Sequence, residues 1–202
     1  MNNIFIRSFD EPEYDKGEIL RYAGIKENNI EMEALIDASV SEIREKLIYK
    51  VCFGEFPIAF LDNYIDLGFT KTDSEKLKIN LHGCTKIVVF AATLGIELDR
   101  MIARYSRISP SKALILQAIG AERIEALCNS FCSDLANEKA IVGERLRPRF
   151  SPGYGDLSLD IQKDIFRTLD CPRRIGLTLC DTMMMSPSKS VTAIVGVMKE
   201  MI

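Results

Sequence analysis

The apolar positions of the chain change their period several times, and each change marks an element. Residues 1–14 carry Ile4, Ile6 and Phe9 in the pattern of an extended arm or edge strand. A short helical stretch over about 15–23 stops at Gly24. Met32, Leu35, Ile36, Val40, Ile43 and Leu47 then recur at helical spacing behind Asn28 and Glu31, a variant of the capping box, and predict a helix to about Tyr49. VCFGEFPIAF and YIDLGFT are rich in β-branched and aromatic residues and broken by glycine, which predicts two short strands. SEKLKINL predicts a short helix capped near Asp73. TKIVVFAAT, residues 85–93, is almost continuously apolar and predicts a strand buried on both faces.

The second half continues with a helix from about Ile96 to Tyr105. Ser109-Pro110 opens the longest helix, serine as cap and proline in the first turn, and the pattern carries it to about Glu138. Its start is apolar nearly all round, so it is expected to be central. Its later half sets Glu122, Glu125 and Asn129 on one polar face at steps of three and four. After the loop RFSPGYGDLS, residues 149–158, a helix is expected over 158–169 with Leu157, Ile161, Ile165 and Leu169 on one side. IGLTLC, 175–180, and SVTAIVGV, 190–197, predict two closing strands. The succession predicts an α+β fold with helices packed on a twisted, mainly antiparallel sheet. Residues 1–25 read as an N-terminal arm and short helix, and 26–202 as a single domain.

Composition narrows the chemistry. With 202 residues, 47% of them hydrophobic, the chain can bury a substantial core. A net charge of −3 spread along it offers no concentrated basic face, so nucleic acid is not an expected partner. No apolar run approaches a membrane span, so no membrane association is expected. MNNIFIRSFDEPEYD lacks the basic start and apolar stretch of a secretion signal, and a cytoplasmic location is expected. In that setting the cysteines at 52, 84, 128, 132, 171 and 180 are expected to be reduced thiols. Cys128 and Cys132 lie four apart, as half a metal site would, but they continue the apolar stripe of Ile124, Phe131 and Leu135; no metal is assigned. The single histidine, His82, has no nucleophile motif near it and is expected to satisfy backbone groups at a helix end. No Walker A loop, Asp-x-His-x-x-Gly corrinoid stretch or complete dinucleotide fingerprint occurs.

What remains is the loop. Arg149 offers a planar fork of donors suited to a carboxylate or phosphate. Pro152 stiffens the turn, Gly153 admits close approach of a ligand to the backbone, and Tyr154 supplies an aromatic face and a hydroxyl. Taken alone, the same residues also fit a surface turn before a helix.

Arg149, Gly153 and Tyr154 are followed by a helix and then by Leu177, Thr178, Met185, Pro187, Ser190, Val191 and Thr192. This ordered set, with TKIVVFAATLG and AERIEAL upstream, resembles the activation domain of cobalamin-dependent methionine synthase over about 85–197. The resemblance implies an S-adenosylmethionine site in an activation-domain-like α+β domain. Arg149 would pair with the ligand carboxylate, the backbone around Ser151, Pro152 and Gly153 would meet the ligand, and Tyr154 would neighbour the sulfonium as the catalytic residue. Glu125, and with a one-residue difference in spacing Glu144, correspond to acidic residues near the ligand. The sequence departs from the family at Phe150, where a proline is usual, and shows no Asp-Trp stretch in its N-terminal region.

The resemblance further implies reductive methylation of cob(II)alamin. An electron from a flavodoxin-like donor and a methyl group from S-adenosylmethionine would restore methylcobalamin on a cobalamin-binding methionine synthase or another corrinoid protein. Without a corrinoid signature of its own, this chain is expected to act in trans. Such an in-line displacement needs positioning and no proton transfer, which suits a chain with one histidine. Because positive charge is lost in the reaction, a tyrosine beside the sulfonium favours it over a tight carboxylate cage. Two other readings stay open. One is a non-catalytic module that senses S-adenosylmethionine or docks on a corrinoid protein. The other is an unrelated enzyme using Cys128, Cys180 or Glu125.

Overall fold

A computed structural model describes residues 3–26 and 30–199. The chain begins with β1 (Ile4–Ser8), α1 (Lys16–Ala23) and α2 (Ile30–Ile43), followed by a 3-10 turn over Arg44–Lys46. The strand β2 (Lys50–Pro57) leads into three two-residue strands, β3 (Ala59–Phe60), β4 (Ile65–Asp66) and β5 (Lys71–Thr72), and the short helix α3 (Glu75–Asn80). Then come β6 (Lys86–Thr93), α4 (Glu97–Ile108), α5 (Pro110–Ile141) and β7 (Glu144–Leu146). The remainder is α6 (Ile161–Leu169), α7 (Cys171–Ile175), β8 (Thr178–Leu179), β9 (Met185–Ser186) and β10 (Ser190–Lys199). No helix among the described residues is long and apolar enough to cross a membrane.

The main sheet has five strands in the order β1-β2-β6-β10-β7, every pairing antiparallel. The fold is α+β, as the alternation of patterns predicts. Period-two alternation divides the sheet between two helical layers. Val88, Phe90 and Ala92 of β6 join Ala193, Val195 and Val197 of β10 under α1, α2, α4 and α5. Ile87, Val89 and Ala91 turn the other way, with Ile194, toward α3, α6 and α7. Burial on both faces is why β6 reads as an unbroken apolar run. Phe131 of α5 sits at the centre of the first layer, its ring 4.8 Å from that of Phe90 and 5.0 Å from that of Phe53.

Several elements differ from the sequence expectation. Asn28, the expected cap partner of Glu31, lies outside the described residues. The second helix stops at Ile43 rather than Tyr49 because the sheet claims the residues beyond the 3-10 turn: Ile48 N donates to Leu94 O, and Tyr49 O accepts from Phe9 N. VCFGEFPIAF is not a short strand but mostly an eight-residue interior one, and at Gly54 a Cβ would crowd the end of the Ile4 side chain, 2.6 Å from Cδ1. Ser74, not Asp73, caps α3, its hydroxyl accepting from Leu77 N. The helix after the loop starts at Ile161, since Ser158 Oγ takes the Asp160 amide and holds a turn there. CPRRI, for which the sequence pattern predicts no element, forms α7 with Pro172 in its first turn and Gly176 (φ +69°) at its end, so the expected strand shrinks to Thr178–Leu179.

Candidate functional site

α5 presents its polar face where the sequence places it, but its members divide. Glu122 is buried and turned toward the segment that precedes α1: its carboxylate accepts from the Arg123 guanidinium and from Asp15 N, the latter at 3.3 Å. Glu125 and Asn129, one turn further on, face the loop. Arg149 Nη2 reaches Glu125 Oε2 at 3.0 Å and Asn129 Oδ1 at 2.9 Å. Burial opposes the Arg149 charge, yet neighbouring Cys128 and Glu125 raise its pKa above the ordinary arginine value.

The loop itself is an extension of the sheet. Beyond β7, Arg147 N donates to Gly196 O, and Phe150 exchanges both backbone hydrogen bonds with Ile194 at 2.9 Å. Pro148 lies between these attachments. It carries no N–H to contribute to a ladder, and the pairing register moves by one residue across it. Next comes a tight turn: Tyr154 N donates to Ser151 O, and Gly153 N to Leu157 O. Gly153 stands at φ +86°, a conformation that favours glycine, while Pro152 is buried beneath. Tyr154 is 67% exposed, and its ring meets Phe150 edge-on at 5.3 Å.

Glu125, Arg149, Ser151, Tyr154 and Val191 of β10 line a cavity of about 280 Å³. A second cavity, about 310 Å³, shares Glu125 and adds Asn129 and the acidic side chains of Glu13, Asp15, Glu18 and Glu122. A guanidinium and a carboxylate held 3.0 Å apart at an open wall suit a zwitterion such as an amino-acid group. One charge answers the carboxylate and the other the ammonium.

Glu144 stands elsewhere. It pairs with Lys86 at 3.0 Å and Lys139 at 3.7 Å, and both lysines also bind Glu55, closing a ring of four charges between β2, β6, β7 and α5. Glu144 does not line the cavity at Arg149. His82 is exposed in the turn after α3, and its contact there runs through its backbone carbonyl, which accepts from Arg147 Nη2 at 2.8 Å. Burial pushes the Cys128 thiol up to about 12, which keeps it protonated and a poor nucleophile. All six cysteines are free thiols, and no group of three metal-ligating side chains occurs among the described residues.

Sequence reasoning missed three contributors. Val191 reaches the cavity only because β10 passes beside the loop. The acidic wall from 13–18 comes from a segment more than a hundred residues away. Asp156 fastens the loop to α3, accepting from Ser74 Oγ, Glu75 N and Lys76 N. Asn129 was legible as a polar neighbour four residues after Glu125, but not as a partner of Arg149.

No family model matches the sequence, and no curated protein matches it. Among solved structures, the chain is similar to the crystal structure of the MetH reactivation domain bound to AdoHcy. The TM-score is 0.66 at 15% sequence identity, and the match covers 96% of this chain and 78% of that one. The similarity establishes a shared α+β fold of helices around an antiparallel sheet.

Proposed function

We propose that this chain binds S-adenosylmethionine at the wall formed by Arg149, Ser151–Tyr154 and Glu125, and acts as a reactivation component for a cobalamin-dependent methionine synthase or another corrinoid protein. The observation that carries the reading is the opposed charge pair, Arg149 and Glu125, opening onto a cavity beside an exposed tyrosine. The similarity of the fold to a reactivation domain bound to AdoHcy supports the same ligand class.

The residues fit a zwitterionic sulfonium compound by their chemistry. Arg149 orients the ligand carboxylate, and Glu125 answers the ammonium. Ser151 lines the cavity with nothing larger than a hydroxymethyl group, and Gly153 shapes the turn that brings Tyr154 to the mouth. Tyr154 presents its ring at the mouth, where it attracts a positive centre without a full counter-charge. Because sulfonium charge disappears as the methyl group departs, that weaker attraction slows the transfer less than a carboxylate would. When bound, the ligand supplies an electrophilic methyl group for a reduced corrinoid carried by a partner protein, the electron coming from a flavodoxin-like donor. The chain's own task is to hold that methyl group at an accessible surface.

Calorimetric titration with S-adenosylmethionine tests the binding step. The wild type is expected to bind, and Arg149→Ala to lose most of the affinity. Absence of binding by the wild type at millimolar ligand removes the proposal. Mixing the chain with a cob(II)alamin protein, a reductant and methyl-labelled ligand tests the transfer. Binding without label on the corrinoid replaces reactivation by the alternative reading, a sensing or docking module.

A further inference from the structure

Both stems of the loop are fastened to the same short helix. On the entry side, Asn80 Nδ2, at the C-terminal end of α3, donates to Pro148 O at 3.3 Å. Arg147 Nη2 donates to His82 O in the turn just beyond. On the exit side, the Asp156 carboxylate accepts from Ser74 Oγ, from Glu75 N at 2.9 Å and from Lys76 N at 3.2 Å, covering the N-terminal end of the same helix. The six residues of α3 hold the two attachments about 9 Å apart through the fixed rise of a helix. At Gly155 the backbone stands at φ +64°, where any residue with a side chain is strained, and the stem of Lys76 lies against it. Asp156 does not line the cavity at Arg149. The hydrogen bonds its carboxylate makes to other residues run to Ser74, Glu75 and Lys76, so it bears on a ligand through the loop.

We propose that α3 is a brace that preforms the ligand loop, and that Asp156 is the positioning residue through which it acts on Arg149 and Tyr154. The ligand part of this inference rests on the function proposed above; the brace itself does not. The physical ground is entropy. A loop ordered at folding has already lost the conformational freedom that an untethered loop would lose on binding. Because the carboxylate receives backbone amides at a helix start, as a cap does, a residue without an acceptor at 156 leaves those amides to water.

The test uses Asp156→Ala, Asp156→Asn and Ser74→Ala in the full chain, with two readouts. Hydrogen exchange at the Gly153 and Tyr154 amides reports on the loop without ligand, since those amides donate to Leu157 O and Ser151 O. Calorimetry with S-adenosylhomocysteine, which cannot react, reports on the site. In Asp156→Ala both amides are expected to exchange about tenfold faster and affinity to fall by about the same factor, with exchange in β6 unchanged. Asparagine keeps an acceptor suited to capping and is expected to restore most of both. Unchanged exchange in Asp156→Ala overturns the brace, and faster exchange with unchanged affinity overturns its positioning role. If the wild type binds nothing while the alanine variant still frees the loop, the brace stands and the ligand reading falls. Ser74→Ala removes both the hydroxyl's bond to Asp156 and its cap on Leu77 N, loosening the brace from the helix side, and gives the same decision should Asp156→Ala not fold.

Discussion

Two glutamates of α5 less than one turn apart, Glu122 and Glu125, each pair with an arginine, and the two pairs do opposite things. At the first, Arg123 is fully buried, and its guanidinium meets the Glu122 carboxylate, Pro12 O and Glu13 O, with the Tyr14 ring 3.8 Å away. Its donors are spent inside the protein. At the second, Arg149 comes from a distant loop, meets Glu125 through one nitrogen, and stays partly exposed beside a cavity. The same charge types thus form a structural clamp at one place and an accessible anchor at the next. What separates them is the number of fixed acceptors around the guanidinium and whether solvent reaches it.

The widest contrast comes from stability. Arg123→Met leaves a buried carboxylate and two carbonyls without their donor, and is expected to cost about 3–5 kcal/mol in chemical denaturation. A loss below about 1 kcal/mol would mean that the clamp is not what holds the N-terminal segment. Arg149→Ala should reverse the pattern. Its partly exposed pair is worth at most about 1 kcal/mol of stability. Losing a charge-assisted contact of about 1.5–3 kcal/mol should nonetheless weaken S-adenosylhomocysteine binding by a factor of about 10 to 150 in calorimetry. A stability loss as large as that of Arg123→Met would merge the two pairs into one class.

Smaller effects sharpen the division. Glu125→Gln keeps the shape but removes the counter-charge, so affinity should fall by less than in Arg149→Ala, about fivefold, with the melting temperature nearly unchanged. Glu144→Gln, within its ring of lysines, should leave affinity untouched and lower stability slightly; weakened binding there would show that the ring communicates with the cavity. The smallest effect is one of pH. The Ser74 hydroxyl, followed by the amides of Lys76 and Glu75, holds the Asp156 carboxyl below its ordinary value. Its contribution is therefore complete above the unfolded aspartate pKa of about 3.9 and fades as pH falls through the lower folded value. Exchange at Gly153 and Tyr154, corrected for its intrinsic pH dependence, should accelerate only in that acid range and show no such step in Asp156→Asn.

The residues of the candidate site were unevenly legible. RFSPGYGDLS announces a turn because Pro152 fixes its own φ while Gly153 and Gly155 admit positive φ whatever surrounds them, and both glycines do stand there. Glu125 and Asn129 were legible as one face because helical spacing is local. Glu144 read as a neighbour of the loop because it is near in sequence, but β7 directs it to Lys86 and Lys139. Asp156 gave no signal, since its partners are some eighty residues earlier in the chain.

The elements follow from the local pattern of the chain: the long helix opened at Ser109-Pro110, the doubly buried strand over Lys86–Thr93, and the proline- and glycine-built turn after Arg149. Each arises from periodicity and from backbone limits that act over a few residues. Long-range packing sets which α5 carboxylate is enclosed and which stands open, and that β10 and α3 grip the loop from two sides. Those outcomes depend on where distant segments, Pro12 to Asp15 and Ser74 to His82, come to rest, and local spacing carries no information about a partner that far along the chain.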